Sequence, residues 1–183
     1  MNEYYSFFMP ITNIGDHMYY LNSLYLYSLI GFIIESTVYK ISKSKRHSSI
    51  FYGPFTYVYG FGILSLILLK KYFLDKLTIN KYLKLLLTFI LSTILLTLIE
   101  YIGGNILHLV FNIDMWNYTD KTYNFGKYIC LDLALTWGLL GTIYIYYIKK
   151  GLDKVINLIP KKLTITIFLI NTLDLIITLF NKL

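Results

Sequence analysis

Hydrophobic residues in this chain fall into five long runs, separated by short connectors that are rich in lysine. Each run is close to the roughly 20 apolar residues that a helix needs to cross the hydrocarbon core of a bilayer. Only α-helices and closed β-barrels can span lipid, and these runs are too long and continuous to be barrel strands. The pattern therefore predicts an all-α, polytopic transmembrane helical bundle, with residues 1–183 forming a single integral membrane domain. The predicted spans cover about residues 20–40, 54–72, 83–104, 127–148 and 162–181.

The longest segment between two predicted spans is Asn105–Phe125, which separates the third span from the fourth. It carries Trp116 and Tyr118, and amphipathic aromatic side chains of this kind favour the headgroup layer of a membrane. We interpret the segment as an interfacial helix and loop that covers one end of the bundle. Residues 1–18 are also aromatic but are broken by a proline and a glycine, so we expect them to lie at the interface as well.

Composition supports a membrane protein and narrows the range of partners. Hydrophobic residues make up 56% of the chain and charged residues 15%, whereas soluble domains average about 45–50% and about 25%. The net charge is +7, but the lysines lie in the connectors, where anionic lipid headgroups are their natural counter-charge. We therefore expect membrane lipids as partners and no nucleic acid. The single cysteine, Cys130, excludes an intrachain disulfide and a cysteine-based zinc cluster.

The distribution of basic residues predicts an orientation in the cell membrane. Four of them follow the first predicted span, whereas ten lie in the connectors after the second and fourth spans, which share the opposite side. An excess of Lys and Arg marks cytoplasmic loops. The bias therefore favours a multi-pass protein of the cell membrane with its N-terminus inside.

Two glutamates, Glu35 and Glu100, lie near the ends of the first and third predicted spans. An ionised carboxylate in hydrocarbon costs roughly 2.5–3.5 kcal/mol, and such residues usually face the interior of a helical bundle. Glu35 shares a helix face with Gly31 and Tyr39, and Tyr101 directly follows Glu100. Two interpretations are open: the glutamates form a functional polar site, or they bond neighbouring helices together as structural residues.

Two further polar positions accompany the glutamates. His108 lies on the same face of the third span as Glu100, two turns later. Its spacing from other ligand types matches no metal-binding motif, so we predict no metal site and a hydrogen-bonded structural role. Asp174, in the fifth span, is expected to pair with Asn171 on its own helix.

The segment that opens the second predicted span is unusual for a helix start. It reads YGPFTYVYGFG and contains Gly53, Pro54, Tyr59 and Gly60. Pro54 suits a first helical position, whereas the glycines loosen the backbone around it. A broken or re-entrant helix here would expose amide and carbonyl groups of the kind that line substrate sites in transporters. An ordinary helix N-terminus is the alternative.

No Walker loop, nucleophile elbow or metalloprotease helix occurs in the sequence. We therefore expect that the chain itself does not hydrolyse ATP. The sequence favours a non-enzymatic role without excluding an enzyme, and it identifies no cofactor.

Five segments, taken in order, carry a resemblance to a known family. They are GFIIESTVY (31–39), YGPFTYVYGFG (52–62), TLIEYIGGNILH (97–108), MWNY (115–118) and GKYICLDLALTWG (126–138). In order and spacing they resemble the signature blocks of the CmpB-like family of small bacterial integral membrane proteins, the putative ABC-transporter type IV permeases. The resemblance covers about residues 20–148 and leaves the fifth span outside.

The resemblance assigns candidate site residues at the positions that match these blocks. They are Glu35, Gly53, Pro54, Tyr59, Gly60, Glu100, Tyr101, Trp116, Tyr118 and Gly126. The chain also departs from the family pattern. Its departures are Ser48 and Ser49 in place of Arg-Gly, Thr56 and Tyr57 in place of Cys-Pro, Asn117 in place of an aspartate, and His108 in place of an acidic residue.

The leading hypothesis is a transporter or permease-type subunit that moves a small solute or ion through a polar intramembrane site. Glu35 and Glu100 would line a polar cavity that the Gly-Pro segment and the loop of Trp116 and Tyr118 cover, with Tyr39 and His108 beside it. An ABC permease would need a separate ATPase subunit. A homo-oligomer of this chain is a second assembly compatible with the hypothesis. The alternatives are an intramembrane enzyme or lipid-binding protein that acts on a lipid headgroup, and a non-catalytic membrane assembly factor.

Overall fold

The computed structural model describes residues 14–43 and 49–182, and within them the chain forms a helical bundle. The helices are α1 (Ile14–Ile41), α2 (Tyr57–Tyr72), α3 (Lys81–Phe111), α4 (Leu131–Ile143), α5 (Lys149–Leu158) and α6 (Lys161–Lys182). Five helical stretches are long and apolar enough to cross a membrane: His17–Ile41, Tyr57–Lys76, Lys81–Phe111, Leu131–Leu158 and Lys161–Lys182. The prediction of an all-α bundle with five spanning helices is confirmed.

The first helix begins earlier, and the second later, than the sequence suggested. Helix α1 starts at Ile14, inside the segment 1–18 that we expected at the interface, and residues 1–13 lie outside the described part of the chain. Residues 50–56 are not helical, so Pro54 precedes α2 and does not occupy its first turn. From its start, α2 is continuous through both of its glycines, so the helix itself is neither broken nor re-entrant. The irregular backbone is confined to the segment ahead of it.

Helix α3 is longer than predicted, and the interfacial helix predicted after it is not a separate element. The start of the predicted segment, residues 105–111, forms the end of α3. The helix stops at Asn112, whose left-handed backbone (φ 53°) turns the chain so that the N–H of Ile113 points back to the carbonyl oxygen of Leu107 at 3.5 Å. Asparagine tolerates this conformation better than most residues do. The chain then forms a loop that ends in a two-residue antiparallel hairpin, β1 (Asn124–Phe125) with β2 (Ile129–Cys130).

Helices α4 and α5 form one continuous helix, joined by the π-helical residues Tyr144–Ile148. The predicted fourth span ended at this joint and left Lys149 and the lysines after it in a loop, but helical structure continues to Leu158. One side of α5 carries Ile156, which is fully buried. Because that side is anchored in the bundle, a strongly polar stretch of sequence remains helical.

The bundle has two ends with different chemical content. We call the end that holds the C-terminus of α1 and the N-terminus of α2 the glutamate end, because Glu35 and Glu100 lie toward it. The opposite end is the lysine end, where the ammonium of Lys71 donates to the hydroxyl of Tyr20 at 3.0 Å and connects α2 to α1. Its buried apolar cluster consists of Tyr27, Leu66, Ile67, Leu74, Tyr144, Ile145 and Ile156.

Small residues bring the helices into close contact. A Cβ atom on Gly138 of α4 would lie 1.9 Å from the hydroxyl of Thr93 in α3. A Cβ atom on Gly60 of α2 would lie 2.5 Å from the carbonyl oxygen of Leu24 in α1. In lipid, helices associate through such close packing, because burial of apolar surface against another helix gains little over contact with lipid tails. These contacts fix the positions of the helices that carry the glutamates.

Candidate intramembrane binding site

Glu35 of α1 and Glu100 of α3 line the same cavity, which has a volume of about 460 Å³ and lies between α1, α2, α3 and α4. Glu100 is buried, with 7% of its surface exposed, and Glu35 is half-buried. The two carboxylates are close enough for the charge on Glu100 to act on Glu35. The cavity therefore concentrates two acidic groups within the spanning part of the bundle.

Two side chains from different elements bind the Glu100 carboxylate. The hydroxyl of Tyr118, in the loop after α3, donates to Oε1 at 2.8 Å. The indole N–H of Trp137, on α4, donates to Oε2 at 2.8 Å. Each carboxylate oxygen therefore has a neutral donor, and the loop and α4 converge on one residue of α3.

The loop that carries Tyr118 is held against α3 by the hairpin that follows it. The backbone N–H of Tyr118 donates to the carbonyl oxygen of Lys127 at 2.8 Å. Gly104 makes room for the hairpin, since a Cβ atom there would lie 2.6 Å from the ring of Tyr128. Burial, together with the nearby Glu100 carboxylate, raises the pKa of Tyr118 well above its usual range. The Tyr118 hydroxyl therefore stays protonated, and able to donate, at neutral pH.

On the other side of the cavity, the hydroxyls of Tyr39 and Tyr59 donate to the Glu35 carboxylate. Tyr39 follows Glu35 by one helical turn, whereas Tyr59 comes from α2. The Tyr59 ring fits against α1 because residue 31 is glycine, where a Cβ atom would lie 2.3 Å from the Cγ of Tyr59. The same ring packs edge-to-face on Trp137, with centroids 5.9 Å apart. One aromatic contact therefore connects the surroundings of the two glutamates.

The donors around the two glutamates are neutral, and among the described residues no Lys, Arg or His lines the cavity. Within the same residues, no group of three or more His, Cys, Asp or Glu side chains could hold a metal ion. Two ionised carboxylates in such surroundings lose hydration energy and repel each other. This arrangement can balance its charge by binding protons or a cation that enters the cavity.

Two of the predicted site residues lie on α3 but outside the cavity. Tyr101 does not line it and is 40% exposed. His108 lies in the last turn of α3, where its Nδ1 is 3.1 Å from the Oδ1 of Asp114. Asp114 also binds the ammonium of Lys127 and accepts from the hydroxyl of Tyr128 at 2.6 Å. The hydrogen bond from Lys127, followed by that from Tyr128, lowers the pKa of Asp114, so its charge is balanced within the cluster.

Gly53 and Pro54, which precede α2, do not line the cavity either. The backbone N–H groups of Tyr52 and Gly53 donate to the Asp174 carboxylate of α6 at 3.0 and 2.8 Å. The expected pairing of Asp174 with Asn171 is therefore not what the structure shows, and Asn171 accepts instead from the hydroxyl of Tyr57. We call the contact of Asp174 with these two N–H groups the α6 clamp. It ties the entry of α2 to the last helix, away from the glutamates.

The remaining predicted residues divide between the cavity and the framework. Trp116 lines the cavity together with the tyrosines already described. Pro54 is exposed, and Gly60 is buried where α2 packs on α1. Gly126 forms the turn of the hairpin with φ +65°, a conformation that glycine adopts without strain. Of these four residues, Trp116 borders the site, whereas Pro54, Gly60 and Gly126 belong to the framework of the bundle.

Trp137 is the cavity residue that sequence reasoning missed. It lies within the fourth span, and its indole N–H binds Glu100. The available signal was a tryptophan inside a span, because a buried indole N–H generally needs an acceptor. The partner could not be read from the sequence, since Trp137 and Glu100 are 37 positions apart.

Fold and cavity together define the class of this protein: a helical membrane protein with five candidate spans in its described residues and an acidic pair that lines a cavity between them. The chain belongs to the family described as "Putative ABC-transporter type IV", whose model matches residues 23–180. The match extends through most of α6, so the expectation that the fifth span lies outside the family resemblance was wrong. No curated protein and no solved structure matches the chain. The chain is therefore an ABC-transporter-related membrane protein.

Proposed function

We propose that this chain is a permease-type membrane subunit of an ABC-type transport system, and that the cavity of Glu35 and Glu100 is its substrate site. The observation that carries the proposal is that two glutamates from separate spans line one cavity without a cationic partner among the described residues. Ionisable residues within membrane spans mark substrate or ion pathways by default. In this proposal residues 1–183 act as one integral membrane domain.

The alternative, in which the glutamates only bond helices together, accounts for less of the geometry. A structural carboxylate in this bundle is exemplified by Asp174, which accepts from two backbone N–H groups in the α6 clamp. Glu35 and Glu100 also have donors, yet both border open volume, and the charge on Glu100 acts on Glu35. Stability alone gives no reason to keep two carboxylates without a counter-charge, because neutral side chains would avoid their desolvation and repulsion.

The charge distribution supports an orientation for this subunit. Ten of the 17 Lys and Arg residues lie at the lysine end, within residues 70–84 and 149–162. Because cytoplasmic surfaces carry such an excess, we place the lysine end in the cytoplasm and the two glutamates toward the outer half of the cell membrane. The separate ATPase subunit would then bind the lysine end, where α5 exposes Lys150 and Lys154.

Complementation of a strain that lacks the gene tests the proposal. Glu35→Gln and Glu100→Gln keep the size of the side chains and one accepting oxygen but remove the charge. We expect both variants to reach the membrane at wild-type levels and to fail to restore the lost phenotype. Asp132→Asn is the matched control, because Asp132 is an exposed carboxylate at the same end of the bundle and does not line the cavity. It should complement fully.

Two outcomes would contradict the proposal. Full complementation by the variant that carries both substitutions would show that the carboxylate charges are not needed. Failure of the single variants to accumulate in the membrane, while Asp132→Asn accumulates normally, would favour the structural interpretation of the glutamates.

A further inference from the structure

The cavity opens toward the side of the bundle and not only toward its end. On α1, Ile34 and Val38 both line the cavity and are 49% and 53% exposed. Across the cavity, Leu140 of α4 and Ile148 of the π-helical joint also line it and are 47% and 44% exposed. Exposed aliphatic side chains on spanning helices face lipid tails. These four residues therefore form a lateral mouth between α1 and α4 that borders the hydrocarbon core.

The cavity is elongated along the helices. On the continuous α4–α5 helix its lining runs from Trp137 to Leu152, a rise of about 22 Å at 1.5 Å per residue. On α1 it runs from Tyr39 back to Tyr27, a rise of about 18 Å. One leaflet of a hydrocarbon core is about 15 Å thick, so the cavity is long enough to follow a lipid tail. Away from the glutamates its lining is largely aliphatic and includes Ile30, Ile63, Leu66 and Leu96.

The acidic end of the cavity fits a positively charged group. The two carboxylates lack a cationic partner among the described residues, and the rings of Tyr59, Trp116 and Trp137 line the same region. Aromatic faces attract ammonium groups, most strongly where water is excluded. The indole N–H of Trp116 is buried and has no hydrogen-bond partner within the described part of the chain, so it can donate to an acceptor on the same ligand.

We propose that the cavity binds a membrane amphiphile with an ammonium headgroup and an apolar tail, which enters sideways from the bilayer between α1 and α4. The ammonium lies between Glu35 and Glu100, and the tail follows the aliphatic part of the cavity toward Tyr27. The inference rests on the proposed function, because it names the substrate class of the same site. A lateral mouth, an aliphatic groove and an uncompensated acidic end are each expected for such a substrate.

Tryptophan fluorescence of the purified full chain in maltoside detergent tests this inference. The chain has two tryptophans, and Trp116 and Trp137 both line the cavity. The probe is dodecyltrimethylammonium with bromine on its tail, a quencher of nearby indoles. We expect saturable quenching that unbrominated dodecyltrimethylammonium reverses, and about tenfold weaker binding in Glu35→Gln/Glu100→Gln. Dodecyl sulfate brominated at the same carbon should show no saturable component.

A pair of matched variants tests the lateral mouth. Ile33 and Ile34 are adjacent on α1 and similarly exposed, at 55% and 49%, but only Ile34 lines the cavity. We expect Ile34→Phe to weaken binding of the amphiphile several-fold and Ile33→Phe to leave it unchanged. Equal effects of the two substitutions would overturn lateral entry.

Tetramethylammonium, which has the headgroup without the tail, separates failure of this inference from failure of the proposed function. If it competes as well as the amphiphile, the site takes a water-soluble cation, and the inference fails while the transport proposal stands. If neither ammonium compound binds and the glutamate variants still fail in complementation, the inference again fails alone. If those variants complement fully, the proposed function fails, whatever the probes show.

Discussion

The two ends of the bundle each bring carboxylates and tyrosines together, but they balance the charge differently. At the lysine end, Asp153 accepts from the hydroxyl of Tyr19 at 2.7 Å and from the ammonium of Lys149 at 2.6 Å. At the glutamate end, Glu35 and Glu100 have tyrosine and tryptophan donors and no ammonium among the described residues. Asp153 therefore has a counter-charge within the fold, whereas Glu35 and Glu100 have none among the described residues.

The difference teaches how to separate structural from functional carboxylates in an apolar chain. Both kinds are partly buried and hydrogen-bonded, so neither burial nor donors alone distinguishes them. The distinguishing feature is the absence of a counter-charge among the described residues, because Asp153 also borders open volume. By this criterion Asp153, which is paired with Lys149, is structural, and the two glutamates form a candidate site.

The largest effect on the glutamate end should come from Gly104→Ala. The added Cβ would lie 2.6 Å from the buried ring of Tyr128, and such overpacking typically costs about 1–3 kcal/mol. We expect a marked fall in the thermal unfolding temperature of the purified protein. Gly151→Ala is the control at the lysine end, since no atom of the described residues lies within 4 Å of the new Cβ and alanine favours the helix by about 0.5–1 kcal/mol. A tolerated Gly104→Ala would show that the hairpin does not pack on α3 as described.

Asp153→Asn should be the next most damaging change, because it removes the negative charge that balances Lys149 at the lysine end. The side chain of Lys149 is 16% exposed, so loss of its partner leaves a largely buried ammonium without balance. Hydrogen bonds to charged groups contribute about 1.5–3 kcal/mol, and we expect a loss of free energy of unfolding in that range. Lys150→Met, at an exposed neighbouring lysine, should be close to neutral. Unchanged stability in Asp153→Asn would mean that the lysine end does not depend on its ion pair.

Tyr118→Phe should have a smaller effect on stability and a clear effect at the site. It removes one donor to Glu100 and leaves the ring in place, at a cost of about 1–2 kcal/mol. Trp137 fluorescence should change as well, because its partner carboxylate loses its other donor. Tyr123→Phe is the control, an exposed tyrosine of the same loop. Identical spectra for the two variants would contradict the shared carboxylate.

Asp114→Asn should have the smallest effect, and the effect should depend on pH. Lys127 and Tyr128 lower the pKa of Asp114 in the folded state, so this carboxylate stabilises the fold above its ordinary pKa. That contribution is lost as the pH falls through the lowered value. We expect Asp114→Asn to unfold about one or two degrees below wild type at pH 7 and to match it in strong acid. A difference that grows in acid would contradict the assignment.

The spans and the interior position of the two glutamates could be predicted from the sequence, because both depend on local sequence features. Each span is recognisable from its length and hydropathy. Each glutamate lies on a helix face whose small and polar neighbours predict an interior position. The convergence of Glu35 and Glu100 on one cavity follows from those faces, although their roles stay a prediction.

Contacts between distant segments could not be predicted in the same way. Asp174 binds an N–H group 122 positions away, and neither its helix face nor its own neighbours indicate that partner. The hydrophobic pattern also failed to predict α5. This polar stretch stays helical because Ile156 anchors one side of it in the bundle. Likewise, Asn112 decides where α3 ends through its backbone conformation, which the apolar pattern does not record.

The most direct test of the central claim is the free energy of unfolding of Glu35→Gln/Glu100→Gln, measured in detergent beside wild type and Asp153→Asn. If the two carboxylates lack an internal counter-charge, the double variant loses their repulsion, while each amide keeps one accepting oxygen and can donate from its NH2 group to a tyrosine hydroxyl. We therefore predict that it is at least as stable as wild type, while Asp153→Asn is less stable. A double variant that is destabilised as much as Asp153→Asn would contradict the claim and assign the glutamates to the framework of the bundle.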